Sequence, residues 1–167
     1  MLRLDRVPGE PMKSRDVKIR QAEKKDLPAI VALLADDPLG QQREEVSHPL
    51  PTGYREAFDE IEDDPRQSLL VAESDGRIVG TLQLSVLPNL TYGGRRRAQV
   101  EGVRIAKSAR GLGIGRALVE EAKALALSSG CHMLQLTANR QRSEAVHFYE
   151  RLGFVDSHHG LKLYLQD

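Results

Sequence analysis

Apolar and polar positions change their period several times along the chain, and each change marks an element. Val17-Lys18-Ile19-Arg20 alternates with period two and predicts a first strand. Leu27, Ile30, Val31 and Leu34 then follow the spacing of one helix face, with Asp26 where an N-cap belongs and Pro28 in the tolerated first turn. Asp37-Pro38-Leu39-Gly40 breaks that helix. Residues 41–51 are polar and irregular, and a second helix is predicted over 54–62, stopped by Asp64-Pro65. Two runs, 68–73 and 78–86, flank Asp75-Gly76 and predict a hairpin. Beyond the loop at Pro88, Gly93 and Gly94, residues 99–105 read as another strand. The clearest helix is 113–129, where Ile114, Leu118, Val119, Ala122 and Leu125 form one stripe and Gly130 ends it. A strand over 133–137 and a helix over 144–152 follow. Gly153-Phe154-Val155 begins a last strand, with 161–165 pairing beside it as a hairpin. The order β-α-α-β-β-β-α-β-α-β-β predicts a mixed α/β domain over 16–167, its sheet of six to seven strands flanked by about four helices. Residues 1–15 show no apolar period and read as a loose tail.

Composition narrows the classes of function. Hydrophobic residues at 40% and charged residues at 29% suit one globular core without a metal or disulfide staple. Acidic and basic residues balance to a net charge of zero, which lacks the basic excess of a general nucleic-acid binder. No apolar stretch reaches membrane-spanning length, and the first residues lack the apolar core of a signal peptide. A lone cysteine, Cys131, forms no intramolecular disulfide and reads as a small buried residue. The expectation is a cytoplasmic protein with no nucleic-acid or membrane partner. No metal is expected either, because the adjacent His158 and His159 face opposite ways in an extended chain. The run Arg95-Arg96-Arg97 reads as a solvated strand edge.

The informative chemistry lies between Val100 and Arg116. There a strand runs through Arg110-Gly111-Leu112-Gly113-Ile114-Gly115 into a helix. Closely spaced glycines admit a ligand to the backbone, amides at the helix start point outward, and the helix dipole favours negative charge. Arg110 and Arg116 add charged donors. A diphosphate suits such a cradle. The dinucleotide fingerprint is excluded because Arg116 stands where its third glycine belongs, and the string Gly-Lys-Ser/Thr of a P-loop is absent.

Together with Leu136-Thr137-Ala138-Asn139 and the stretch from Ala145 to Phe154 containing FYERLGF, this loop resembles the GNAT superfamily of acyl-CoA-dependent N-acyltransferases. Arg110, Gly113 and Gly115 fit that family's diphosphate motif. The resemblance implies a GNAT-like fold with a mostly antiparallel sheet, acetyl-CoA as acetyl donor, an amine acceptor, and a homodimer. It implies that the strands 99–105 and 133–137 splay apart and admit the cofactor. Main-chain groups of Val103, Arg104 and Ile105 would hold the pantetheine arm, and amides from Gly111 through Leu112, Gly113 and Ile114 to Gly115 the diphosphate. Asn139 would bond the pantetheine. Arg142, where many relatives carry asparagine, and Phe148, which reads as core, complete the cofactor set.

Attack by an amine on a thioester requires a base and a donor for the departing thiolate. Tyr149 is the family's usual candidate for the donor. Glu101 is the candidate base. Strict alternation would put Glu101, Val103 and Ile105 on one side of their strand and Arg104 on the other. An ordered water relay is the alternative base, and an ion pair to Arg95, Arg96, Arg97 or Arg104 the alternative role for Glu101. The acceptor is expected between 41–54, 87–95 and the C-terminal hairpin. A small-molecule amine is the leading acceptor, with a protein lysine or N-terminus and a non-catalytic acyl-CoA sensor as rivals.

Overall fold

The structure, a computed structural model, describes residues 17–165, and the tail expected over 1–15 lies outside them. The elements in chain order are β1 (Val17–Gln21), α1 (Leu27–Leu34), α2 (Thr52–Asp63), β2 (Gln67–Ser74), β3 (Arg77–Leu87), the single turn α3 (Thr91–Gly94), β4 (Arg96–Ile105), α4 (Ile114–Ser128), β5 (Cys131–Leu136) and α5 (Ser143–Glu150). The strands form one sheet in the order β1-β2-β3-β4-β5. Neighbours are antiparallel except β4 and β5, which run parallel because the intervening α4 crosses over the sheet. The fold is therefore mixed, as its element order predicts, and mostly antiparallel, as the family resemblance implies.

Alternation along the strands assigns the two faces. On β2, Leu69 packs with Leu27, Val31, Leu50 and Phe58 of the α1–α2 layer, whereas its neighbour Leu70 joins Leu82, Leu84, Val100, Ile114, Leu118 and Ala122 under α4. The fully buried Leu70, Leu82, Leu84 and Leu118 each contribute about 2 kcal/mol. Gly80 marks how closely α4 approaches: a Cβ there would lie 2.9 Å from Ile105 Cδ1 and 3.1 Å from Leu118 Cδ1.

Three expectations are corrected. Asp26 does not cap α1 with its side chain. It closes a capping box around a preceding 3-10 turn, accepting the Glu23 N–H at 2.8 Å, and takes two hydrogen bonds from Arg20 at 2.6 and 3.1 Å. The sheet has five strands among the described residues rather than six or seven, because the C-terminal hairpin does not form. Residues 154–165 carry no strand, and Val155, Leu161, Leu163, Tyr164 and Leu165 are each 80–92% exposed. Alternation shows only that a segment suits a ladder; no strand pairs with this one.

The third correction concerns β4. Gln83 pairs with Glu101 and Thr81 with Arg104, so two steps along β3 match three along β4. The extra residue is a β-bulge at Gly102, whose φ of +61° is left-handed and suits glycine. Opposed residues share a face, so Glu101 and Arg104 lie on the side of Thr81 and Gln83. Val100 and Ile105, opposite Leu84 and Gly80, lie on the α4 side. Glu101 and Ile105 therefore do not share a face as strict alternation expects.

Candidate active site

Pairing between β4 and β5 stops at Val100 and Leu136, while β4 continues to Ile105. From Glu101 onward no strand among the described residues pairs with its β5-side edge, and a cavity of about 80 Å³ opens there. Glu101, Val103, Arg104, Thr137, Asn139, Arg142 and Tyr149 line it. The splay between these strands that the family resemblance implies corresponds to this opening. A larger cavity of about 410 Å³, beside Lys24, Leu27, His48, Leu50 and Arg55, lies away from both the glycine loop and Tyr149.

Past Ile105 the chain makes a 3-10 turn, Lys107–Ala109, and enters the glycine loop. Ala109 and Ile114 are buried and Leu112 packs on the core, which fixes the loop from inside. Gly111 and Gly113 have φ of +78° and +80°, and a Cβ at either would point into open space. Gly113 is the N-cap of α4, and the Ala117 N–H to Gly113 carbonyl bond, 3.0 Å, is the helix's first. Amides of Ile114, Gly115 and Arg116 precede it and, among the described residues, no side chain caps them. Free amides at a helix start are groups that can receive an anion. Gly115 has a separate reason to lack a side chain: a Cβ there would sit 3.1 Å from Phe148 Cζ. Arg110 donates from Nε to the Ile105 carbonyl at 3.2 Å, tying the loop to the end of β4. Arg116 is exposed on the first turn of α4.

Tyr149 comes to the cavity from α5. Its ring meets Phe148 and Phe154 edge to face, with centroids 5.0 and 5.6 Å away. Burial raises the phenol above its ordinary pKa, against the pull of Arg104 and Arg142, so it stays protonated at neutral pH. Glu101 is exposed at the cavity, and among the described residues no ion pair holds it. Asn139 uses its Oδ1 to accept the Gln141 N–H at 2.9 Å, and its carbonyl accepts the Arg142 N–H at 2.8 Å, forming the turn into α5. Arg142 donates to Asp37, a residue whose only mark in the sequence is the helix-breaking Asp37-Pro38-Leu39-Gly40. Asp37 also accepts the Gly40 N–H at 2.7 Å and stands 3.5 Å from Arg104 Nε. Burial opposes its ionisation, yet the Gly40 amide and the two arginines hold its carboxyl below the usual carboxylate range.

Comparison with known proteins agrees with this architecture. The chain belongs to the acetyltransferase (GNAT) family, which residues 27–154 match. A glucosamine 6-phosphate N-acetyltransferase of Trypanosoma brucei brucei is 38% identical over 79 residues, 47% of this chain and 52% of that protein. The match thus spans about half the length of that curated relative. A crystal structure described as a transcriptional regulator from Bacillus halodurans C-125 is 49% identical with a TM-score of 0.87, covering 89% of this chain and 99% of that one. A Trypanosoma brucei acetyltransferase structure is 28% identical with a TM-score of 0.74, covering 90% and 100%.

Proposed function

We propose that this chain transfers the acetyl group of acetyl-CoA to the primary amine of a small molecule in one ternary complex. The observation that carries the reading is the unpaired edge of β4 from Glu101 to Ile105, flanked by the glycine-loop amides and by Tyr149. The diphosphate rests on amides of residues 111–115, and the pantetheine arm lies along Val103 to Ile105. In the reaction the amine nitrogen attacks the thioester carbon and a C–N bond forms. The C–S bond then breaks and the sulfur takes the Tyr149 proton, while the amine proton leaves to Glu101 or through water. The products are an amide and CoA. Asn139 and Phe148 border the arm, Phe148 by packing on Gly115.

The test is incubation with acetyl-CoA and a panel of small amines, peptides and N-termini while free thiol is measured. Thiol release with at least one small amine, exceeding that with peptides, is expected. A second reading, an acyl-CoA-binding regulator, is favoured by the description of the Bacillus halodurans structure, nearly all of which aligns with this chain. Tight acetyl-CoA binding without thiol release for any acceptor would establish that reading instead.

The protein is also proposed to work in the cytoplasm as a homodimer. No helix among the described residues is long and apolar enough to cross a membrane. The outer edge of β5 is unpaired, and the alternating Leu161, Leu163 and Leu165 are exposed, a pairing that a second copy would complete. Light scattering should read twice the chain mass, and truncation after Gly160 should halve it. A monomer at micromolar concentration overturns the expectation.

A further inference from the structure

The mouth of the cleft carries charges that acetyl transfer to a plain amine does not call for. The bulge at Gly102 turns Arg104 onto the α1 side of the sheet beside Glu101, away from α4 and the loop that receives the diphosphate. Arg142 reaches the same place from the start of α5, and both guanidinium groups converge on Asp37. Two cations thus share one carboxylate. Arg104 donates from Nη1 to the Val103 carbonyl at 2.9 Å, while its buried Nε has no hydrogen-bond acceptor among the described residues. At 3.5 Å the Asp37 oxygen forms an ion pair with that Nε but no hydrogen bond. Burial, and then the like charge of Arg142, pull the Arg104 guanidinium below its ordinary range. It remains charged at neutral pH. Arg43 and Glu44 lie farther along the same loop and offset one another in sign.

A fork of two planar guanidinium groups is matched by phosphate or carboxylate, which accept paired hydrogen bonds. Glu101, on the same face and facing the same cavity, matches an ammonium. We propose that Arg104 and Arg142 bind an anionic group of the acceptor while Glu101 meets its amine, so that the substrates are zwitterions, amines carrying a phosphate or a carboxylate. Asp37 is a positioning residue: it holds the two arginines together and leaves one positive charge for the acceptor. This assignment rests on the acetyltransferase reading above; it gives the side chains of Arg104 and Arg142 to the acceptor and leaves the Arg104 main chain to the pantetheine arm.

The experiment compares matched pairs with the intact protein and saturating acetyl-CoA: glucosamine 6-phosphate against glucosamine, and amino acids against their amides. The kcat/KM of the anionic member should exceed that of its neutral partner by at least ~10-fold. The phosphate and carboxylate arms separate the two anion classes. In Arg104→Gln and Arg142→Gln that ratio should fall by ~10-fold, and Arg104→Lys, which keeps the charge without the fork, should recover only part of it. Calorimetry of the same pairs against the CoA-bound protein reads the preference without turnover, and Asp37→Asn serves if Arg104→Gln does not fold. Equal use of both members overturns the assignment, as does a ratio that the variants leave unchanged. Ready acetylation of neutral or cationic amines alone sinks this inference and leaves the transferase reading standing. Absence of acetyl-CoA binding sinks that reading itself.

Discussion

Tyr149→Phe should lower turnover by roughly 10²-fold, within the range for loss of a positioned proton donor, while acetyl-CoA affinity stays within about twofold. The ring keeps its edge-to-face contacts with Phe148 and Phe154, because both involve the aromatic edge and neither needs the hydroxyl. Packing of α5 is therefore preserved, and the change isolates the phenolic proton. That proton is lost only as pH rises through a pKa that burial has raised above the ordinary ~10 for tyrosine, so no alkaline decline below that pH should come from this group. Thiol release measured from pH 6 to 9, beside calorimetry of acetyl-CoA binding, checks both halves. Full activity would remove Tyr149 from the mechanism.

Gly113→Asp should weaken acetyl-CoA binding by more than ~100-fold. Two effects act in the same direction. The residue sits at φ +80°, a conformation that costs a non-glycine side chain on the order of 1 kcal/mol, and its Cβ would project into open space at the N-cap of α4. The added carboxylate then occupies the cradle and repels the diphosphate. Circular dichroism should show the helix content retained, since among the described residues nothing beyond the chain neighbours lies within 4 Å of that Cβ. Unchanged affinity would mean that the loop is not the diphosphate site.

The glycine loop and α4 were legible because their signals are local. The stripe of Ile114, Leu118, Val119 and Ala122 is buried as its period requires, and Gly111 and Gly113 adopt left-handed backbone. Three things were not legible, each for its own reason. Arg142 and Asp37 are 105 residues apart, and no spacing rule links an α5 N-cap to the loop after α1. Leu161 to Leu165 alternates like a strand, yet alternation carries no information about whether an edge is available to it. The bulge did leave a mark, since an isolated glycine within a strand pattern is a known sign of one. Counting Glu101, Val103 and Ile105 as alternate positions passed over Gly102, and so misassigned the face of Glu101 relative to its neighbours.

The bulge shifts the final stretch of β4 by half a period relative to unbroken alternation. Were Gly102 held in a regular ladder instead, the Arg104 side chain would swing beneath α4, among Leu118 and its apolar neighbours, and Ile105 would leave the place it fills against Gly80. The charge character of the cleft's entrance and the integrity of the layer behind it are thus set by a single bulge. Neither can drift in sequence without the other.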